Sequence, residues 1–255
     1  AADGACATVR TRAVGGAAGG APQREAALGQ GGEVWRRHQC ATGHAIPIAF
    51  DLPLPRRPPR VRRANDPLVI ALSGSANPWL DISGLLTAFQ AVQAERPDTR
   101  FVITGGPVPG LPAPGWSALE SWARRFPEHV RLTGWIPHGA LADALGAAHV
   151  GVFADRPEGL EPELGDRTRA LLYAWRGRDL VATARSARMA GLAAAGCAYA
   201  VPAGEAAERA RALRRLAAEE RAPDRSERRV AHLDASSAPG MLATPLLEWV
   251  AAPSR

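Results

Sequence analysis

From Leu68 onward, short apolar runs alternate with stretches of helical period. LVIALSG (68–74) is an unbroken apolar run ending in Ser-Gly, which predicts a buried parallel strand. Ile82, Leu85, Leu86, Phe89 and Val92 then recur at offsets of 3, 4, 7 and 10, one apolar helix face, and Pro97 ends it. The alternation continues with a strand at 100–106, a helix at 116–126, a strand at 130–135 and a short helix at 138–147. It goes on through a strand at 149–155 that ends in an acid, a helix at 163–176, a strand at 179–183 and a helix at 186–195. A strand at 197–202, a helix at 204–220 and a last helix at about 243–251 complete the series. Strands spaced 20 to 30 residues apart, with helices between, predict βαβ units. The expected fold class is therefore α/β: a doubly wound parallel sheet with helices on both faces.

The first quarter of the chain reads differently. Residues 1–45 are rich in Ala and Gly with no sustained period, and are expected to be poorly ordered or the remnant of an N-terminal domain. Residues 46–67 are rich in Pro and Arg and are expected to form an extended interdomain linker. Residues 68–255 then make up the folded domain.

Composition removes several chemistries. All 31 basic residues are arginine, against 25 acids, for a net charge of +6. Without lysine there is no Schiff-base residue, no P-loop lysine and no Ser-x-x-Lys pair. Any grip on a phosphate must come from arginine, helix N-termini or backbone amides. The arginine clusters at 56–63, 209–215 and 225–229 carry no interleaved aromatics. They are read as a linker and solvated helix faces, so no specific nucleic-acid partner is expected. No apolar run is long enough for a transmembrane helix. Three scattered cysteines favour the cytoplasm over a disulfide framework. His38, Cys40 and His44 lack a fourth ligand nearby, and no metal is expected.

In a doubly wound sheet, ligands bind beyond the carboxyl ends of the strands. The segments to inspect are 74–81, 105–107, 135–138, 155–169 and 183–186. The first strand is followed by GSANPW rather than G-x-G-x-x-G, which disfavours a dinucleotide cofactor. Ser73-Gly74-Ser75 lacks the flanking glycines of a nucleophile elbow. DRPEGLEPELGDRTRALLYAWRG (155–177) is more telling. It is an acidic loop opening into a helix, with Glu163, Arg167 and Arg169 in the expected first turns. A helix N-terminus with an adjacent arginine suits a diphosphate, and a nearby carboxylate suits sugar hydroxyls. The plainer alternative is a charged cap with exposed ion pairs.

The order of these pieces resembles the C-terminal, donor-binding domain of a GT-B fold glycosyltransferase of group 1. The pieces are VIALSGSANPWLD, FVITGGPVPG, VRLTGWIPHGALADAL, HVGVFAD and ELGDRTRALLYAWRGRDLVAT. IPIAFDLPLP is similar to the family's interdomain stretch, and LLEWVAAPSR to its closing helix. The resemblance covers residues 46–255. It implies transfer of a sugar from a nucleotide-diphosphate donor to an acceptor alcohol, with no separate cofactor. The base and ribose would sit near Trp135, Ile136 and the Glu163 loop. The diphosphate would meet the amides at Gly74 to Asn77, Ser75 among them, and that of Gly165, and Gly105 is a further donor-binding candidate. Arg167 or Arg169 would supply counter-charge. Trp79 and Asp81 either shape the sugar pocket or start and cap a helix.

The sequence departs from the family pattern at three points. Leu172 stands where a second acid is expected, Gly177-Arg178-Asp179-Leu180 lacks the usual proline, and no basic residue lies between Ser73 and Leu86. About 45 residues precede the linker, too few for the acceptor-binding domain that a GT-B enzyme closes over its cleft. The expectation is that this chain alone does not transfer sugar and that a missing N-terminal domain or a partner supplies the other half. A degenerate, non-catalytic nucleotide-sugar-binding module and an unrelated nucleotide-dependent Rossmann-like enzyme are the alternatives.

Overall fold

The structure is a computed structural model that describes residues 66–159, 167–183, 185–218, 227 and 231–232. Residues 1–45, nearly all of the linker, Glu163, Gly165, the His38/Cys40/His44 group and the helix expected at 243–251 lie outside the described residues.

The apolar runs form six strands, β1 (Val69–Ser73), β2 (Arg100–Thr104), β3 (Val130–Gly134), β4 (Val150–Phe153), β5 (Asp179–Thr183) and β6 (Tyr199–Val201). The periodic stretches between and after them form α1 (Ile82–Glu95), α2 (Trp116–Arg125), α3 (His138–Ala147), α4 (Thr168–Trp175), α5 (Ala187–Ala194) and α6 (Ala206–Ala218). All strand pairs are parallel, in the order β3-β2-β1-β4-β5-β6. The central strands β4 and β5 are buried at every position, as expected for strands covered on both faces. Right-handed crossovers put α1 and α2 on one face and α3, α4 and α5 on the other. After β6 the chain returns to the first face, where α6 packs on α1.

The core on that first face centres on an aromatic trio. Phe89 on α1 lies 5.0 Å from Phe101 on β2, and Trp122 on α2 lies 4.9 Å from Phe101. A groove of about 420 Å³ opens at the C-terminal ends of α1 and α2, lined by Gln93, Trp122, Arg125 and His129 among others. Those helix ends lie at the amino edge of the sheet, away from the segments expected to bind ligand.

Two expectations need correction. The helix expected from Glu163 is described only from Thr168, with Arg167 as its N-cap. Of the two arginines, only Arg169 therefore lies in its first turn. The cluster at 209–215 is not simply a solvated face, because Arg209 is completely buried. Its place on α6 faces α1 rather than solvent. Arg211 and Arg214 do behave as surface residues, ion-paired with Glu208 and Glu95.

Candidate functional site

The strand order reverses between β1 and β4, so the chain leaves these neighbours in opposite directions and a crevice opens at their carboxyl ends. Three turns line its β1 side and are bonded to one another. Gly74 N donates to Thr104 O (3.0 Å), Ala76 N to Gly106 O (2.8 Å) and Gly105 N to Gly134 O (2.7 Å). Gly105 adopts φ +87°, and a Cβ there would stand 2.2 Å from Gly74 O. Only glycine allows the β1 and β2 turns to approach this closely.

The β1 turn is set by its own side chains. Asn77 Oδ1 accepts from Trp79 N (3.2 Å) and Leu80 N (3.1 Å), which closes an Asx-type turn. Asp81 then caps α1, its Oδ1 accepting from Gly84 N at 2.9 Å. Its Oδ2 lies 3.7 Å from Nη1 of the buried Arg209. Burial lowers the Arg209 pKa and the Asp81 carboxylate opposes that shift. Both Asp81 oxygens are thus engaged, Oδ1 in capping α1 and Oδ2 in the tie to α6. Of the amides at 74–77, those of Gly74 and Ala76 are spent on the neighbouring turns. The Ser75 and Asn77 amides make no backbone hydrogen bond of this kind among the described residues.

The two arginines of the α4 start have different fates. Arg167 is ion-paired with Asp155: its Nε donates to Oδ2 at 3.4 Å and its Nη2 lies 2.9 Å from Oδ1. Both side chains are nearly buried. Arg169 instead reaches across the crevice, where its Nη2 donates to Ser75 O (3.2 Å) and Ser75 Oγ (3.3 Å). Its guanidinium carbon would lie 3.0 Å from a Cβ on Gly74, which has φ +101°. The missing side chain of Gly74 makes the room that the guanidinium occupies. Both guanidinium groups lie over the Phe153 ring, 5.6 and 5.7 Å from its centroid. The first strand's turn has no cation of its own, and α4 supplies one from the opposite wall. Sequence spacing could not show this, because Arg169 and Ser75 are 94 positions apart.

Tyr173 lies one turn further along α4, beneath the crevice. Its hydroxyl donates to Ser73 Oγ at 3.1 Å. Burial pushes the Tyr173 phenol up to about 12, against the smaller opposing pull of the Ser73 bond and of Arg169. Its ring lies flush on Gly151 of β4, where a Cβ would come within 2.1 Å of it. Leu172, at the position where a second acid was expected, is buried.

Trp135 and Ile136 follow β3 at the same edge. Trp135 is 63% exposed and Trp79 38%, the two large aromatics left open to solvent there. The Trp135 indole nitrogen is 4.0 Å from the position of a Cβ on Gly106. The structure therefore gathers Gly74, Ser75, Asn77, Trp79, Gly105, Trp135, Ile136 and Arg169 along one edge. It turns Asp81 and Arg167 to ion pairs, and Glu163 and Gly165 lie outside the described residues.

The fold is a doubly wound parallel sheet with a guanidinium held against the β1 turn at its switch point, and with exposed tryptophans after β1 and β3 along the same edge. The family follows from comparison with known proteins. The model of the family described as "Glycosyl transferases group 1" matches residues 67–219, and the chain belongs to that family. No curated protein matches it in sequence. Among solved structures it is similar to S. aureus TarM, in a complex containing UDP, with a TM-score of 0.63 and 11% identity over 86% of this chain and 42% of that one. Sucrose-phosphate synthase from Thermosynechococcus elongatus gives a TM-score of 0.59 and 21% identity, over 93% of this chain and 56% of that one. The C-terminal domain of LpcC, a group 1 family protein from Francisella tularensis, gives 0.51 and 14%, over 68% and 87%. At these identities the likeness is one of fold, that of a GT-B glycosyltransferase. The chain spans about half the length of TarM and of the synthase.

Proposed function

We propose that this chain is the donor-binding half of a glycosyltransferase that takes a sugar from a nucleotide-diphosphate donor to an acceptor alcohol. The observation that carries the reading is the Arg169 guanidinium held against the Gly74–Ser75 turn at the switch point. As the glycosidic bond to the donor breaks, negative charge grows on the leaving diphosphate. Arg169, the N-terminal end of α4 and the Ser75 and Asn77 amides can neutralise that charge without a metal or another cofactor. The base would lie by Trp135 and Ile136. Glu163 and Gly165 are proposed to complete the sugar and phosphate contacts from the loop before α4. Residues 46–67 would link this domain to an acceptor-binding α/β domain, supplied by sequence beyond this chain or by a partner.

Titration with UDP, GDP and their sugar nucleotides tests the site. The parent chain should bind at least one diphosphate. Arg169→Ala should weaken it by about tenfold or more, the cost of a lost charge-assisted contact. No binding of any nucleoside diphosphate at millimolar concentration would sink the reading.

A second reading is a nucleotide-sugar-binding module without catalysis. It is favoured by the engagement of both described crevice carboxylates, Asp81 and Asp155, in pairing and capping. Turnover of a nucleotide sugar by this chain alone would exclude it.

A further inference from the structure

Beyond the crevice, on the β5 side, a single side chain organises the segment that follows β4. Arg185 Nη1 donates to the carbonyl oxygens of Arg156 (2.9 Å) and Pro157 (2.7 Å), and its Nη2 to that of Gly159 (3.0 Å). One guanidinium thus gathers three carbonyls within four residues. Pro157, Glu158 and Gly159 are exposed, so little apolar burial fixes their path. Their near end is well anchored. Asp155 N donates to Thr183 Oγ1 (3.1 Å), and Arg156 N to Trp79 O (2.9 Å). Among the described residues, Arg185 donates to the carbonyls of Pro157 and Gly159, and Pro157 also touches the position of a Gly204 side chain at 3.8 Å.

The order of groups along the edge gives this strap a role. Trp135 stands at the end of β3, the Gly74–Ser75 turn and Arg169 at the β1/β4 junction, and residues 156–159 with Arg185 at β4 and β5. The nucleoside and the sugar leave a bridging diphosphate from opposite ends. With the diphosphate on Arg169 and the base toward the open tryptophan at β3, the sugar is carried toward β4 and β5. It then meets the segment that Arg185 shapes.

We propose that Arg185 is a positioning residue for the sugar moiety of the donor, acting through the backbone of residues 156–159. The proposal rests on the donor-binding reading above. Its specific content is that Arg185 governs the preference for a sugar nucleotide over the bare diphosphate, and leaves binding of the diphosphate alone.

Isothermal titration of the full chain and of Arg185→Ala and Arg185→Lys with UDP, UDP-glucose, GDP and GDP-mannose tests it, with thermal melting in parallel. In Arg185→Ala the diphosphate affinity should stay within about twofold while the affinity for the sugar nucleotide changes by about tenfold or more. Arg185→Lys should resemble the alanine variant, because an ammonium keeps the charge but cannot fork to three carbonyls. Three results overturn the proposal: both affinities falling in the same proportion, neither affinity changing, or lysine restoring the parent's preference. If the parent binds no diphosphate, the donor-binding reading fails first and this proposal falls with it.

Discussion

Arg167 and Arg169 stand two positions apart and do different work. Arg167 neutralises Asp155, whose side chain is almost fully buried, and so belongs to the architecture. Removing it breaks a buried ion pair, which typically costs about 3–5 kcal/mol. Arg167→Ala should therefore lower the urea midpoint strongly, while the molecules that remain folded keep their affinity for a diphosphate. Arg169 should show the converse, lost affinity with a small change in melting. Tyr173, beneath both, adds a pH dependence. Its folded pKa of about 12 lies above the ordinary value of 10. Below pH 10 the phenol is neutral in both states and its contribution is fully present. As pH rises from 10 toward 12, only the unfolded chain ionises, and the contribution is lost. A shift of that size corresponds to roughly 3 kcal/mol at most. Urea unfolding at pH 8 and pH 11 should show a drop in the parent that is smaller in Tyr173→Phe. The partner of this residue is Gly151. Gly151→Ala should destabilise by about 1–3 kcal/mol, the usual cost of overpacking, and melting would report it.

The elements divide into those held by apolar periodicity and those held by a specific polar lock. Helix α1 shows both. Its buried face, Ile82, Leu85, Phe89 and Val92, was legible from spacing alone. Its start depends on Asp81, and the tie to α6 depends on Asp81 meeting Arg209 in the interior. Nothing in the sequence marked Arg209 out from the other arginines of its cluster. A basic residue every few positions on a helix reads as surface until the partner helix is known. Asp81→Ala should cost about 3–5 kcal/mol, because it leaves the Arg209 charge buried without its carboxylate. The double variant Asp81→Ser, Arg209→Met should recover much of that loss. Serine keeps the N-cap and methionine fills the space without a charge. A double variant as unstable as Asp81→Ala would show that the α1–α6 contact needs the ion pair itself.

At the scale of the whole molecule, the reversal of strand order between β1 and β4 turns a set of separate loops into one edge. Along it, turns from β1, β2 and β3 are hydrogen-bonded in series, and α4 brings a cation from the facing wall. This is the edge proposed above to hold a donor. The cleft of a GT-B enzyme needs a second domain facing it, and this chain spans about half the length of two of its structural neighbours. Incubated with sugar nucleotides and assayed for released nucleoside diphosphate, this chain alone should bind without turnover. Steady release would show that this domain is sufficient.

The sequence by itself determined the elements and their class. Short unbroken apolar runs bounded by turn residues suit strands covered on both faces, and apolar residues at helical offsets suit a helix with one buried side. These are local periodicities, so they survive without knowledge of the fold. The same spacing located the turns at Gly74, Gly105 and Trp135, because a turn must follow each strand. Tertiary structure alone decided which charges are held in ion pairs and which reach the crevice. Asp81 was caught by a buried arginine 128 positions later, and Arg169 was carried across 94 positions to Ser75. A charge takes its role from the groups within a few ångströms of it, and for these residues chain folding, not chain order, supplied those groups.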